Sequence, residues 1–217
     1  KVGFSACPSD AINSCKENVH YICSKKGGEG CVREFIDIIL DNSNYNDITN
    51  YITQMKHEAF YQLNNLNNIN FDFITNKILS CKGNIYVTGV GKSEDISIHL
   101  INLMKSISIK SHYINIMNLT HGDIGCIDEN DIIIFFSKSG NTKEIIDKID
   151  LFKCYKIGIC CNKSSLFLNL CDYNIVLPFQ SEIKNKKNIN CIPSNSYMSH
   201  LFFIKIFINN LIEKSNI

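Results

Sequence analysis

The chain has 217 residues, 45% hydrophobic and 20% charged, with a formal net charge of +1. That length holds one full domain plus an appendage, in the composition range of ordinary globular proteins rather than disordered or fibrous ones. A charge this near zero leaves no basic footprint for nucleic acid. The longest apolar runs, 131–136 and 201–208, are too short or too interrupted to cross a bilayer, so neither a nucleic-acid partner nor a membrane is expected.

In chain order, the first 41 residues contain KVGFSACP and VHYICS, which read as two short strands, and EGCVREFIDIIL, which reads as a helix. This is about half a domain's worth of elements, too little for an independent core. The chain begins inside a strand pattern, and a truncated neighbouring domain is expected. Cys7, Cys15, Cys23 and Cys31 lie eight residues apart, but none of the eleven cysteines forms a C-x-x-C pair. The usual zinc spacing is absent, and no metal is expected. Reduced, mostly buried thiols in a cytoplasmic compartment fit this usage. Helices are predicted over 47–63 and 71–81.

From residue 83 the pattern becomes regular. Strand-like apolar runs fall at 84–88, 112–116, 131–136, 155–160 and 173–177. The stretch 92–107 carries Ile96, Leu100, Leu103 and Ile107 at helical spacing, and 142–152 carries Ile145, Ile146, Ile149 and Phe152. Short buried strands alternating with helices argue for a parallel sheet covered on both faces. Ligands in such folds bind beyond the carboxyl ends of the strands, which singles out the turns after residues 88, 116 and 136.

The first of these turns lies in GNIYVTGVGKSED, residues 83–95. Lys92 and Ser93 suggest a nucleotide-binding P-loop, but that motif needs a glycine five residues before the Gly-Lys-Ser triplet, and Tyr86 stands there. The loop is too short to wrap a polyphosphate. The second crossover contains THGDIG, 120–125, whose His121 and Asp123 could be an acid–base pair or simple turn chemistry. The third strand ends in FFSKSGNTKE, 135–144. Ser137, Ser139 and Thr142 put three hydroxyls in six residues at a predicted helix start, the makings of a phosphate site. The same residues would also serve as a plain N-cap. IPSNSYMSH, 192–200, is a further candidate helix start, with Ser194, Asn195 and Ser196.

GVGKS, HGDIG and SKSGNTKE, in this order and spacing, resemble the sugar isomerase (SIS) domain, most closely its arabinose-5-phosphate isomerase branch. The resemblance runs from about residue 45 to the end, so the chain divides as 1–41 and 42–217. It implies a three-layer α/β/α sandwich around a five-stranded parallel sheet, no cofactor, and a phosphosugar ligand. By motif match Ser137, Ser139 and Thr142, with Gly140 and Asn141 between them, grip the phosphate. Gly91, Ser93, Ser194 and Ser196 assist. Lys92 matches the family's active-site lysine, His121 the histidine of its His-Gly-Asp string, and Glu144 a family carboxylate. Glu182, the carboxylate nearest to the place of the family's Glu-Ala-Cys-Pro string and reached across a small insertion, joins Lys92, His121 and Glu144 as a catalytic candidate.

The first 41 residues resemble the C-terminal end of 3-deoxy-manno-octulosonate 8-phosphate phosphatase, a haloacid dehalogenase-type enzyme, with GGEGCVREF the more specific part. The aspartate nucleophile string of that superfamily is absent. Both resemblances belong to one pathway, which suggests part of a fused polypeptide. Departures from the isomerase pattern include Asn118 where a glutamate often precedes the histidine string. The chain also stops at Ile217 without the His-Pro-Gly/Ala segment that follows the family's last helix. Two expectations follow: an isomerase interconverting ribulose 5-phosphate and arabinose 5-phosphate, or a regulatory module that binds a phosphosugar without turnover. A nearly all-apolar helix over 201–212 must be buried in a core or against a partner. With the family's habit of pairing through helices beside the site, this points to a homodimer or homotetramer.

Overall fold

The computed structural model describes residues 5–40, 47–119, 122–183 and 194–215. They belong to two compact units, Lys1–Tyr61 with Ile183–Asn190, and Gln62–Glu182 with Cys191–Ile217.

In the first unit, β1 (Ala6–Cys7) pairs in parallel with β2 (Tyr21–Ile22), with α1 (Asn13–Lys16) between them and α2 (Cys31–Leu40) after them. The two strands and the helix expected from the sequence are present. Glu34 of α2 ties the unit together. Its carboxylate accepts the Ser24 and Lys25 N–H groups at 2.7 and 3.0 Å and the Tyr21 hydroxyl at 2.8 Å. These bonds, the Ser24 N–H above all, hold the carboxyl down at about 2. The helix α3 (Asp47–Leu66) carries the chain from the first unit into the second.

The second unit opens with α4 (Phe71–Leu79), whose N-terminus is capped by the Asn70 side chain accepting from Phe73 N–H at 3.0 Å. The strands β3 (Ile85–Gly89), β4 (Ser111–Tyr113), β5 (Ile132–Phe136), β6 (Tyr155–Cys160) and β7 (Tyr173–Val176) then form one sheet in the order β4-β3-β5-β6-β7, every pair parallel. Between and after them run α5 (Lys92–Ser106), α6 (Lys143–Ile146), α7 (Phe167–Leu170) and α8 (Asn195–Lys214).

The strands are apolar at nearly every position because the sheet is covered on both faces. Ile85, Val87, Ile132, Ile134, Phe136, Ile157 and Ile159 pack with Ile74 and Ile78 of α4, Ile96, Leu100 and Met104 of α5, and Phe203, Ile204 and Phe207 of α8. Ile133 and Phe135 point the other way, against Ile145, Ile149, Phe152 and Phe167. This is the five-stranded α/β sandwich that the sequence predicts.

Two elements differ from expectation. The run 112–116 contributes only His112 and Tyr113 to a three-residue strand that starts at Ser111, at the sheet edge where β4 has one neighbour. The helix expected over 142–152 is a single α-turn, α6, followed by a 3-10 turn at Ile149–Leu151. The backbone leaves helical geometry at Lys148, φ −120°, whose ammonium donates to the Ile116 carbonyl at 2.7 Å. The apolar face survives the break, since Ile145, Ile149 and Phe152 are all buried.

A buried carboxylate aligns the two central strands at their N-terminal ends. Asp131, 3% exposed, accepts the Asn84 N–H at 2.7 Å and the Asp128 N–H at 2.8 Å. Asp131→Ala strands both donors, at about 1–3 kcal/mol for each N–H left unpaired. The expected outcome is a lowered urea midpoint, with Asp131→Asn losing less because its side-chain carbonyl still accepts one of the two.

Candidate functional site

The sheet order places β3 between β4 and β5, so the chain leaves β3 toward one edge and returns at β5 to build toward the other. The ends of β3 and β5 are adjacent in register, Gly89 opposite Phe136. In open α/β sheets this reversal leaves a crevice beyond the strand ends where ligands bind. The turns entering α5 and α6 both start there.

At the end of β3 the backbone turns through Gly91, φ 61° and ψ −124°, a conformation open to glycine and strained for any other residue. Gly89 is tighter still. A Cβ there would lie 2.4 Å from the Ser93 carbonyl oxygen, so the first turn of α5 sits directly on the strand. Ser93 is half-buried. Lys92 is exposed, and its ammonium lies 3.4 Å from Asp95 on its own helix. Exposed pairs of this kind hold weakly.

The loop after β5 is shaped by its own hydroxyls. Ser137 is buried, and its oxygen accepts the Gly140 N–H at 3.0 Å and lies 2.7 Å from the Thr142 hydroxyl. The Ser139 hydroxyl accepts the Asn141 N–H at 3.1 Å, and the Asn141 side chain accepts the Leu166 N–H at 2.7 Å. Gly140 is required: φ is 63°, and a Cβ would lie 2.4 Å from the Ser165 Cβ. Thr142 occupies the N-cap position of α6, yet its hydroxyl makes no cap bond and turns back to Ser137 instead. The plain N-cap alternative therefore does not describe this loop. Glu144 is exposed in the first turn of α6.

The start of α8 is polar and largely buried, with Asn195, Ser196, Ser199 and His200 all withdrawn from solvent. Glu182 accepts the N–H groups of Ser194 at 2.9 Å, Asn195 at 2.8 Å and Ser196 at 3.3 Å, and the Ser196 hydroxyl as well. Lys138, from the loop after β5, completes the cluster at 2.7 Å from Glu182 Oε1. Burial pushes the Glu182 carboxyl up, but the Lys138 ammonium, the Ser196 hydroxyl and the helix N–H groups outweigh it and hold it at about 2. One turn along, His200 is 3% exposed beside Phe136, ring centroids 5.6 Å apart. Its Nδ1 lies 2.7 Å from the Ser196 carbonyl, which can only accept, so Nδ1 carries the proton and Nε2 is a buried acceptor with no partner among the described residues. Burial pulls its pKa down to about 4, against the pull of the Ser196 carbonyl and the Glu182 carboxylate toward the charged form.

The sequence-predicted residues thus form three groups. Ser137, Ser139, Gly140, Asn141 and Thr142 make one loop; Glu182, Ser194 and Ser196 make a cluster at the start of α8; Gly91, Lys92 and Ser93 open α5. Lys138 ties the first group to the second. Neither Lys92 nor Glu144 bonds to the other groups, and His121 lies outside the described residues. Sequence reasoning missed Lys138 and His200. A lysine set between two candidate phosphate-loop serines was a usable signal for the first; the second carries no local signal, because its role depends on burial. Among the described residues no cluster of three or more His, Cys, Asp or Glu side chains could hold a metal ion.

Two depressed pKa values give a signed acid response. The unfolded chain binds more protons than the native state between about 6.5 and 4 at His200 and between 4.5 and about 2 at Glu182. Both contributions are complete above pH 6.5 and are lost as pH falls through these windows. Thermal unfolding followed by calorimetry should show a midpoint that declines in two stages, and His200→Gln should flatten the upper one.

Comparison with known proteins agrees with this geometry. The SIS domain model matches residues 78–205. An uncharacterized protein of Chlamydia pneumoniae is 31% identical over 133 residues, 60% of this chain and 40% of that protein. Arabinose 5-phosphate isomerase KdsD of Yersinia pestis is 30% identical over 114 residues, 52% of this chain and 35% of the enzyme. The chain spans less than half the length of these relatives. Among solved structures, c3406 of Escherichia coli CFT073 in complex with arabinose 5-phosphate is 25% identical, with a TM-score of 0.67 over 78% of this chain and 92% of that one. With the model match extending over more than half of its length, the chain belongs to the SIS domain family.

Proposed function

We propose that the crevice between the ends of β3 and β5 binds a phosphosugar and isomerises it between aldose and ketose, with arabinose 5-phosphate and ribulose 5-phosphate as the pair. The observation that carries this reading is the hydroxyl-built loop 137–142 at the reversal point of the sheet. Its serine and threonine hydroxyls, clustered at one turn, suit a phosphoryl group. The resemblance to the KdsD isomerases and to a structure holding arabinose 5-phosphate supports the choice of sugar.

In this mechanism a base removes the proton from C2 of the open-chain aldose. The electron pair moves to the C1 oxygen and gives an enediolate. Protonation at C1 and transfer of the C2 hydroxyl proton to the C1 oxygen then yield the ketose. Lys92, freed from its weak pair with Asp95, opposes the enediolate charge. Glu144 and His121 are the candidates for proton transfer. Glu182 is assigned to fixing the start of α8, because a carboxylate held at about 2 is a poor base near neutral pH.

The resemblance of residues 1–41 to an octulosonate-phosphate phosphatase supports a role in octulosonate synthesis in a cytoplasmic setting. A second copy of the chain is the proposed partner of α8, which leaves Ile206 and Ile212 exposed while burying Phe203, Ile204, Phe207, Ile208 and Leu211. Light scattering at micromolar concentration should report a dimer or tetramer; a strictly monomeric mass removes this assignment.

The chemical reading is tested by NMR in heavy water, following deuterium incorporation at C2 of arabinose 5-phosphate. Exchange is expected in the native chain. Lys92→Ala should lower turnover far more than binding, because the charge it opposes develops in the transition state. Ser139→Ala with Thr142→Ala should weaken phosphosugar binding measured by calorimetry. Binding without exchange would leave the alternative, a phosphosugar-binding regulatory module.

A further inference from the structure

Lys138 stands between Ser137 and Ser139, in the loop assigned to the phosphate. Its peptide is fixed, since its carbonyl accepts the Cys161 N–H at 2.9 Å. Its side chain crosses to Glu182, 2.7 Å from Oε1, with the ammonium 5.2 Å from the centre of the Phe179 ring. The ion pair is asymmetric: the Glu182 side chain is 12% exposed and that of Lys138 is 45% exposed. Glu182 is spent inward, on the N–H groups of Ser194, Asn195 and Ser196. An ammonium has three donors, and among the described residues Lys138 has one hydrogen-bonding partner.

The charge balance is the point. A phosphosugar brings a dianion to the loop 137–142. The carboxylate that completes the start of α8 is ionised and anchored from that same loop by Lys138. A bare carboxylate there would repel the ligand and cancel the favourable positive end of α8. With Lys138 in place the carboxylate is neutralised, and the exposed side of the ammonium keeps donors for a second anion.

We propose that Lys138 is a specificity-determining residue: it screens Glu182 and bridges it to the phosphoryl group, so that the site selects phosphorylated sugars over free ones. This rests on the reading of the loop 137–142 as the phosphate site. Lys138 touches no reacting atom in this assignment; it sets which ligands enter.

The experiment is titration calorimetry of the full chain with three probes: arabinose 5-phosphate, inorganic phosphate and arabinose. Lys138→Ala should weaken arabinose 5-phosphate and inorganic phosphate by at least about tenfold and leave arabinose unchanged. Lys138→Met, which keeps the apolar stem over Phe179, should show the same loss and guards against a folding defect in the alanine variant. Adding Glu182→Gln to Lys138→Ala should restore part of the phosphate affinity, because the repelling charge is gone. If the native chain binds arabinose 5-phosphate and both Lys138 variants match it, this inference falls and the phosphate-site reading stands. A double variant no better than the single one overturns the screening role. If the native chain binds no phosphorylated probe, the site reading falls and this inference falls with it.

Discussion

The parallel pairing of β3 with β5 is the constraint on which the rest of the second unit depends. The two strands run in register from Ile85 opposite Ile132 to Gly89 opposite Phe136, so their carboxyl ends stop side by side. From that shared edge the chain departs to opposite faces. One exit leads into α5, whose Ile96 and Leu100 pack on the same face as α4 and α8; the other leads into α6, whose Ile145 packs on the face of Phe152 and Phe167. A crevice opens where the exits diverge. Apolar burial on both faces makes the divergence obligatory, and the polar residues of the two turns lie at the same end of the sheet as a consequence.

The polar chemistry at this edge obeys a strict economy of partners. Buried hydroxyls and carboxylates are stable only when their bonding capacity is used. Ser137 and Thr142 satisfy each other, Ser139 takes a peptide N–H, and Glu182 collects the donors at the start of α8. Groups that look like free ligand contacts in a sequence are already employed in building the surface a ligand would meet. Hydroxyls can still donate or accept once more, which is why such a loop can be rigid and receptive together.

Much of this was legible in the sequence, for physical reasons that differ by element. The run 155–160 became a strand with the same ends because its buried stretch, 157–160, is free of charged side chains and continues directly from Tyr155 and Lys156. The pattern of Ile145, Ile149 and Phe152 was read correctly as a buried face and incorrectly as a continuous helix, because periodicity reports which side faces the core. Here Lys148 bonds across to Ile116 and breaks the helical backbone without moving the face. The alternative of Thr142 as a simple cap failed because Ser137, five residues earlier, offered a closer partner. Glu182 was singled out only through family resemblance, since its partners lie twelve to fourteen residues away and its bond to Lys138 spans the gap between two loops. Such contacts belong to the tertiary fold and leave no local trace.

The last helix is tied at both ends. Its first N–H groups rest on Glu182, and its last turn reaches Asp72 of α4 through Lys214 at 2.7 Å. Between these ends Phe203, Phe207 and Leu211 lie in the core. A helix turns about 100° and advances about 1.5 Å with each residue. Inserting or deleting a single residue anywhere in α8 would therefore rotate one tie away from its partner while the other stayed seated. The number of residues between Asn195 and Lys214 is thus a fixed length in this fold. The spacing between the two ties cannot change without breaking one of them.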